Sequence, residues 1–477
     1  MSLSFRGQCT VSPVNNVIIR AMERKKRVLV GMSGGVDSSV AALLLKQAGY
    51  EVVGVTMRIT PDGLAPTARK LACYGEDEAA EIEDIERVAR HLGIEFRTVD
   101  LRREYEERIL NYFRQEYARG RTPNPCVRCN AEIKFGLLLE GCRKLGLDYD
   151  YFATGHYARV TYEEKSGRWL LLKARDASKD QSYFLSLLSQ QQLGRSLFPL
   201  GELRKSEVRK IARDHNLPVS DKEESQDFYA GDYRDLLSKG QPGPIKDLSG
   251  KILGQHNGIE NYTVGQRRGL GIASGGRLYV VRIEAETNTV YIGEEKDLLT
   301  SSFQVEGINW ISRVLTPGQE VEATVKVRYK SPELACRLIP GLPAGEPGWI
   351  PEGEESESSG RGDQSAAVKG QAGFGKEAAA EGSRAQNTAP SIKAEPAGGR
   401  HESAKATFDD EVSEGRSQED KSPDRMPGAH FQVSTSGAGP APRTARVILL
   451  APYKAITPGQ VAVFYDGELV LGAGFIR

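Results

Sequence analysis

The sequence predicts an α/β domain, a parallel sheet with helices on both faces, followed by a β-rich C-terminal half. Three observations carry this prediction. Apolar β runs alternate with helical stretches from residue 27 to about 221, a glycine-rich loop lies between the first run and the first helix, and short β runs separated by Gly and Asn turns follow from about 233. Strand–helix alternation is typical of a parallel sheet covered by helices, whereas closely spaced strands indicate a barrel or small β units.

The first strand is predicted at RVLVG (27–31), whose apolar residues suit a buried position. Apolar residues at Val40, Leu43 and Leu44 then predict a helix over 38–48 that ends at Gly49. The next predicted elements are, in order, a strand at EVVGVTM (51–57), a helix over 78–92, a strand at EFRTVD (95–100) and a strand at YFATGHY (151–157).

The C-terminal half is predicted to consist of short strands. They are RLYVVRIE (277–284), TVYIGE (289–294), VEATVKVRY (321–329) and VAVFYDGELVLGAGFI (461–476). The last run contains Asp466–Gly467, a dipeptide that favours a β-hairpin turn.

A long acidic segment interrupts the β-rich half. Residues 345–440 contain 17 Asp and Glu but 10 Lys and Arg, and no leucine lies between Leu342 and Leu449. Such a composition buries too little apolar surface to offset chain entropy, and a long loop adds little closure cost, so we expect a disordered insertion. We therefore divide the chain into an N-terminal extension (1–26), the α/β domain (27–230), a small central β-rich domain (231–302) and a C-terminal β-barrel (303–477) with an insertion at about 345–440.

Composition excludes several classes of protein. No 18 consecutive residues are apolar, so no membrane span is expected. Six cysteines in 477 residues do not form a disulfide scaffold and indicate a reducing compartment, so we expect a cytoplasmic protein. The formal net charge is zero, but the acidic insertion leaves a basic body, which is compatible with a nucleic-acid partner.

The strongest local motif is GMSGGVDSS, Gly31 to Ser39, between the first strand and the first helix. Gly34 and Gly35 permit close approach of the backbone to an anion, and the helix N-terminus presents free N–H groups to the same point. Asp37 places a carboxylate where Mg²⁺ could accompany phosphates. The motif contains no lysine, so it is not a Walker A loop. The alternative is a plain glycine-rich turn with helix-capping serines.

Two cysteines occur at C-x-x-C spacing in TPNPCVRCN (122–130), and a third, Cys73, follows the second predicted strand. Cys126 and Cys129 at this spacing can reach one metal centre or act together in thiol chemistry. Because Cys73 lies on the side where such sheets build their active sites, we expect it to meet this pair. A buried structural cysteine is the alternative for Cys73.

Taken together, SGGVDSS, NPCVRCN, FATGHYAR (152–159), KDQSYFL (179–185), GQRRGLGI (265–272) and TPGQVAVFY (457–465) resemble the tRNA-specific 2-thiouridylase family of the PP-loop ATP pyrophosphatases. The resemblance runs from Arg27 to Ile476, apart from the insertion. It implies a PP-loop domain, a small β domain and a β-barrel. It also implies an enzyme that uses ATP and Mg²⁺ to adenylate the 2-oxygen of the wobble uridine of tRNA, after which sulfur displaces AMP.

The resemblance assigns roles residue by residue. ATP would be bound by Gly31, Met32, Ser33, Gly34, Gly35, Val36, Asp37, Ser38, Met57 and Gly155. The target base would face Asn124, Pro125 and Cys126. The tRNA would be contacted, or its base positioned, by His156, Lys179, Asp180, Gln181, Arg328, Tyr329 and Gln460. The residues assigned to tRNA also have structural alternatives. His156 could be a structural histidine with its hydrogen bonds satisfied inside the protein, Lys179 and Asp180 could form a solvated turn, and Arg328 could be a surface charge.

The chain departs from the family in its cysteines. Many members use one cysteine at the position of Cys129 and a second in a later segment, which here reads ESQDFYAGDY with Phe228 and Tyr229 where a cysteine is expected. We therefore predict that Cys73, Cys126 and Cys129 act together, as ligands of a [4Fe-4S] cluster. Structural zinc, or a persulfide on Cys129 resolved by Cys73 or Cys126, are the alternatives. The sulfur donor would be a cysteine desulfurase relay or sulfide.

Two rival functions come from other classes. A binding protein that keeps the fold without catalysis would not need Asp37 and the complete loop. A PP-loop amide ligase or nucleotide synthetase would not need the cysteine pair or a tRNA-facing barrel.

Overall fold

A computed structural model describes residues 25–60, 72–74, 78–222, 227–229, 232–273, 276–341 and 441–477. Its strands are, in chain order, β1 (Arg27–Gly31), β2 (Glu51–Arg58), β3 (Ala72–Tyr74), β4 (Glu95–Asp100), β5 (Tyr151–Thr154), β6 (Arg159–Glu163), β7 (Arg168–Leu172), β8 (Ser196–Leu197), β9 (Asp227–Tyr229), β10 (Gly243–Asp247), β11 (Ile252–His256), β12 (Tyr279–Glu284), β13 (Thr289–Gly293), β14 (Leu299–Trp310), β15 (Val321–Lys326), β16 (Leu334–Pro340), β17 (Thr444–Lys454), β18 (Val461–Asp466) and β19 (Leu469–Ile476).

The helices lie mainly in the first half of the described chain. The α-helical segments are Val36–Gln47, Glu78–Leu92, Arg102–Tyr105, Asn111–Ala118, Pro125–Cys129, Leu138–Lys144, Ser182–Leu185, Gln190–Leu193 and Lys205–Asp214. The π-helical segments are Glu106–Leu110 and Asn130–Leu137, and the 3₁₀ turns are Tyr233–Leu236, Ile259–Asn261 and Glu295–Leu298. No helix within the described ranges is long and apolar enough to cross a bilayer.

The first sheet has five parallel strands in the order β4-β2-β1-β5-β8. Its centre is apolar on both faces, as expected for a parallel sheet covered by helices. Leu29 of β1 contributes to one core cluster, and its neighbours Val28 and Val30 contribute to the other with the helix Val36–Gln47. The predicted α/β fold is confirmed, and the predicted strand at 95–100 and helix at 78–92 have the predicted bounds.

The last β-sheet forms a closed barrel of six strands. The order is β14-β17-β16-β15-β18-β19, and β19 pairs back onto β14. Phe303, Trp310 and Phe464 are among the buried side chains that fill this unit. A smaller four-stranded sheet, β11-β10-β13-β12, precedes it and has its own apolar cluster. The predicted β-rich central domain and C-terminal barrel are thus confirmed.

One hairpin lies in a different sheet from the one that its place in the chain indicates. Strands β6 and β7 fall between β5 and β8 of the parallel sheet, yet they extend the barrel sheet, where Leu172 pairs with Leu469. Arg159 of β6 also bonds through Nη2 to Glu468 Oε2 at 2.9 Å. The α/β domain and the barrel are therefore joined by main-chain pairing as well as by side-chain contacts.

The predicted insertion at 345–440 and the N-terminal extension up to residue 24 lie outside the described residues. The strands that flank the insertion are nevertheless described. Strands β16 and β17 are antiparallel neighbours with Pro340 opposite Ala445, and Gly341 N–H donates to Thr444 O at 2.9 Å. The barrel therefore holds the described residues on either side of the insertion next to each other, as in a hairpin.

We predict that deletion of residues 352–430 leaves folding and activity intact. The hairpin pairing of β16 with β17 holds the two ends together without the deleted segment, and shortening a long loop changes closure entropy little. The thermal midpoint measured by calorimetry should change by less than about 2 °C, because the loss resembles a surface change of about 0.5 kcal/mol. A larger drop, or loss of activity, would show that the segment contributes to the folded unit.

Candidate active site

A cavity of about 270 Å³ opens at the carboxyl ends of β1, β2 and β5. This is the edge at which parallel α/β sheets bind ligands. Nine of the ten residues predicted to bind ATP line this cavity, namely Gly31, Met32, Ser33, Gly35, Val36, Asp37, Ser38, Met57 and Gly155. The tenth, Gly34, lies in the same loop with a φ of 67°, a conformation that favours glycine.

The loop is packed closely against the end of β5. A Cβ atom at Gly155 would lie 2.6 Å from Ser38 N, so a side chain at this position would displace the loop. Ser38 Oγ accepts a hydrogen bond from Ser33 N at 3.2 Å, which closes the loop on itself. Gly155 is therefore needed for the close approach of the loop to β5.

Three lysines that the local motif does not contain line the cavity: Lys134, Lys205 and Lys222. Lys205 Nζ donates to both oxygens of Asp37, at 2.7 and 2.8 Å, and Tyr157 Oη donates to Asp37 Oδ1 at 2.8 Å. The contact between Lys205 and Asp37 was not predicted from the sequence. The two residues are 168 positions apart, and no local pattern distinguishes Lys205 from a surface lysine. The cavity therefore combines a loop of backbone N–H groups with ammonium groups supplied by distant elements, a combination suited to phosphates.

His156, predicted to contact tRNA, lines this cavity instead of an open surface. Its ring lies beside Phe135 and Phe198, with centroids 6.4 and 6.5 Å away, and its Nδ1 lies 2.8 Å from Thr154 Oγ1. Burial, followed by the charge of Lys134, lowers the pKa of His156 from 6.5 to about 3. The imidazole is therefore neutral at physiological pH and serves as a hydrogen-bonding group.

We predict that His156 makes the protein less stable in mild acid. Because the folded-state pKa is lowered, the unfolded chain binds a proton below pH 6.5 that the folded chain excludes until about pH 3. The free energy of unfolding should therefore fall by up to about 1.4 kcal/mol per pH unit as pH drops through this window. Urea titrations at pH 7 and pH 5 would measure this fall, and His156→Gln should remove its share of it. An equal fall in the variant would rule out this origin.

The KDQSYFL turn joins the cavity to the barrel. Gln181 lines the cavity, and it is fixed by two bonds to Tyr157, one from Gln181 N to Tyr157 O and one from Tyr157 N to Gln181 Oε1. Asp180 is buried and accepts from Ala174 N and from Ser182 N and Oγ. Its carboxylate thus stabilises the turn from inside and is not solvated as its structural alternative proposed, and its contact with tRNA stays a prediction. Lys179 is half-buried beside it.

The two cysteines lie on the helix Pro125–Cys129. Asn124 caps this helix, since its Oδ1 accepts from Val127 N at 3.4 Å, and proline at the first position suits a helix start. Cys126 is half-buried, whereas Cys129 is buried. The helix continues directly into the π-helical segment Asn130–Leu137, which carries Lys134 into the cavity. One continuous helix therefore connects the cysteine pair to the cavity, and π-helical segments are frequent at functional sites.

Loops of the barrel support the residues that precede the cysteines. Gln460 Nε2 donates to Thr122 O at 2.9 Å and to Pro123 O at 3.3 Å. Arg328 Nη2 donates to Ala455 O and to Thr457 Oγ1, both at 2.6 Å, and so holds the loop that contains Gln460. Tyr329 packs on Phe184 with ring centroids 4.4 Å apart, and Phe184 O accepts a hydrogen bond from Nδ2 of Asn130, the residue after Cys129, at 3.1 Å. Three residues predicted to contact tRNA thus lie near the cysteine helix.

The backbone places Cys73 beside the segment that lacks the expected second cysteine. Strands β3 and β9 are parallel, with Ala72 opposite Asp227 and Tyr74 opposite Tyr229, so Cys73 lies between these two pairs. Tyr229 is buried in the same apolar cluster as Cys129. The structure describes the backbone of Cys73 but not its side chain. That Cys73 lies close to Cys126 and Cys129 therefore stays a prediction. Among the described side chains, no group of three His, Cys, Asp or Glu is placed to hold a metal ion.

Comparisons with known proteins agree with this arrangement. Residues 26–229 match the family model described as the tRNA methyl transferase HUP domain, residues 235–294 match its PRC-barrel domain, and residues 429–476 match an aminomethyltransferase β-barrel domain. The tRNA-specific 2-thiouridylase MnmA of Endomicrobium trichonymphae is 46% identical over 324 residues, which cover 67% of this chain and 89% of the relative. The proteins of the same name from Halothermothrix orenii and Moorella thermoacetica are 46% and 44% identical, and the aligned residues cover 66% and 65% of this chain and 88% of each relative. The chain therefore belongs to the tRNA-specific 2-thiouridylase family.

Proposed function

We propose that this protein is a cytoplasmic enzyme that uses ATP and Mg²⁺ to replace the 2-oxygen of the wobble uridine of tRNA with sulfur. The observation that carries the proposal is the single helical stretch from Pro125 to Leu137, which presents Cys126 and Cys129 at one end and Lys134 in the phosphate cavity at the other. An enzyme that activates a base with ATP and then attacks it with sulfur needs these two functions close together.

In the first step, the cavity would hold the triphosphate of ATP. Backbone N–H groups of the loop 31–38 and the ammonium groups of the lysines offset its charge, and Asp37 would hold the Mg²⁺ that accompanies it. The uracil 2-oxygen attacks the α-phosphorus and pyrophosphate leaves. This step is needed because a uracil carbonyl oxygen is a poor leaving group, whereas an AMP ester is a good one.

In the second step, Cys129 would carry the sulfur. A persulfide on Cys129 attacks C2 of the activated base, and the bond between C2 and the oxygen of AMP breaks. A second thiol, from Cys126 or Cys73, then cleaves the sulfur–sulfur bond and leaves a disulfide with Cys129. A cysteine desulfurase relay would supply this sulfur already at the persulfide level, as the outer sulfur on Cys129. Sulfide, the other donor, would instead attack C2 directly and displace AMP without a persulfide.

The tRNA would enter between the cysteine helix and the barrel. Asn124, Pro125 and Cys126 would face the base, while Arg328, Tyr329 and Gln460 hold the adjoining loops. The ring of Tyr329, which already packs on Phe184, offers a flat apolar surface of the kind that receives unstacked RNA bases.

A [4Fe-4S] cluster on Cys73, Cys126 and Cys129 stays a separate prediction. Cys126 and Cys129 have suitable spacing, but the described side chains offer no third ligand, so we route no step through a cluster. Anaerobic purification with iron and sulfide analysis tests it. A colourless, iron-free protein that still thiolates tRNA would reject it.

The proposed reaction is tested by its products. The purified protein, given tRNA, ATP, Mg²⁺, cysteine with a cysteine desulfurase as persulfide donor, and a dithiol that reduces the resulting disulfide, should release AMP and pyrophosphate and form 2-thiouridine detectable by nucleoside mass spectrometry. Release of ADP and phosphate, or tRNA without 2-thiouridine, would refute it.

A further inference from the structure

The Asp37 carboxylate is fully engaged in the described structure. Lys205 Nζ lies 2.7 and 2.8 Å from its two oxygens, and Tyr157 Oη lies 2.8 Å from one of them. Lys205 is buried, with 9% of its surface exposed, so this pair is not a loose surface contact. The backbone of Lys205 is also held in place. Lys205 N–H donates to Asp176 Oδ2 at 2.9 Å, at the first residue of the helix Lys205–Asp214.

This pair conflicts with the proposed use of Asp37. Both oxygens of Asp37 accept from the Lys205 ammonium, so a divalent cation held by this carboxylate would lie close to that ammonium. Two cations beside the same carboxylate repel each other strongly. Lys205 must therefore leave Asp37 when nucleotide and metal bind. Its flexible stem ends inside the phosphate cavity, whereas Lys222 is already held there by Asp84 at 2.7 Å.

We propose that Lys205 is a catalytic residue that exchanges partners when ATP binds. It neutralises Asp37 in the empty enzyme, yields that carboxylate to the divalent cation, and then binds the β- and γ-phosphates. The inference rests on the proposed function.

When the uracil 2-oxygen bonds to the α-phosphorus, the bond from that phosphorus to the bridging oxygen breaks and its electron pair stays on pyrophosphate. Lys205 offsets this charge, and the N3 proton of the base passes to water. Lys205 thus supplies, from a distant helix, the lysine that the loop itself lacks.

The exchange is tested by binding Mn²⁺ alone, in the absence of nucleotide and tRNA, followed by electron paramagnetic resonance. Lys205→Met should bind Mn²⁺ at least about tenfold more tightly than the natural protein, because the competing ammonium is gone. Pyrophosphate release with tRNA and saturating ATP should fall about 10²-fold in the same variant. A residue that only supports the fold would not strengthen Mn²⁺ binding.

Three variants complete the test. Lys222→Met removes an ammonium from the same cavity but not from Asp37, so its Mn²⁺ affinity should be unchanged. Asp37→Asn combined with Lys205→Met should lose the gain in affinity. Lys205→Gln keeps a hydrogen-bond donor to Asp37 and replaces Lys205→Met if the latter does not fold.

Mn²⁺ binding that is unchanged or weaker in both Lys205 variants, or pyrophosphate release at the natural rate, would overturn the inference. Failure of the proposed function has a different signature. The natural protein would then release no pyrophosphate with tRNA, whereas the Mn²⁺ comparison would still report on the exchange at Asp37.

Discussion

Replacing Asp37 with asparagine should reduce pyrophosphate release by roughly 10³-fold, because a neutral amide no longer holds the cation that stabilises the triphosphate in the transition state. The side chain keeps its size, so the loop 31–38 should retain its shape. Pyrophosphate release in a single turnover with excess enzyme measures this loss directly, since it does not depend on the sulfur donor.

Stability must be separated from catalysis in this experiment. Asp37→Asn leaves the buried Lys205 ammonium without its anionic partner, and breaking a buried pair costs several kcal/mol. The double variant Asp37→Asn with Lys205→Met removes both charges and should recover part of the thermal midpoint while staying inactive. Activity within tenfold of the natural protein in Asp37→Asn would show that the carboxylate is not a cation ligand.

The phosphate loop could be predicted from sequence because its determinants are local. Gly34, the serines and Asp37 lie within one strand–loop–helix unit, and each residue type has a specific physical reason to be there. Gly155 is 124 residues from Gly31, yet it could also be placed, since the resemblance to a known family included the motif that contains it.

Lys205 could not be predicted in the same way. The helix that carries it has ordinary helical periodicity, and only the fold brings the first residue of that helix to Asp37. Asp180 illustrates the opposite case. The resemblance implied a tRNA contact, and the alternative was a solvated turn, whereas its carboxylate is buried and accepts three hydrogen bonds from within the protein. The hydrogen-bond and ion-pair partners of a side chain depend on the tertiary structure, and a local sequence pattern does not identify them.

The hairpin β6–β7 shows the same limit for backbone pairing. Neither of its strands is among those predicted, and the alternation of strands and helices along the chain assigns these residues to the α/β domain that surrounds them. Its position in the barrel sheet depends on the pairing of Leu172 with Leu469, almost 300 residues away in the chain. The alternation of strands and helices along the chain therefore does not determine which sheet a short antiparallel pair joins.

Replacing Cys129 with serine should abolish thiolation, by at least about 10³-fold, while pyrophosphate release continues. Serine keeps the volume of the buried side chain, but its hydroxyl neither carries a persulfide nor approaches the nucleophilicity of a thiolate. Adenylation of the base needs the cavity and not the thiol, so the two half-reactions should separate. Pyrophosphate release and 2-thiouridine formation, measured on the same samples, report the two steps.

The chain provides matched controls for this prediction. Cys142 and Cys336 are also buried, and burial raises the pKa of the Cys142 thiol to about 11 and that of Cys336 to about 12, so neither is a thiolate at neutral pH. Cys142→Ser and Cys336→Ser should therefore retain thiolation. Cys126→Ser should lose more activity than Cys73→Ser if the half-buried Cys126 is the partner of Cys129, and the order reverses if Cys73 is. Full thiolation by Cys129→Ser would remove Cys129 from the sulfur path, whereas loss of pyrophosphate release in that variant would show that the cysteine acts before the base is activated.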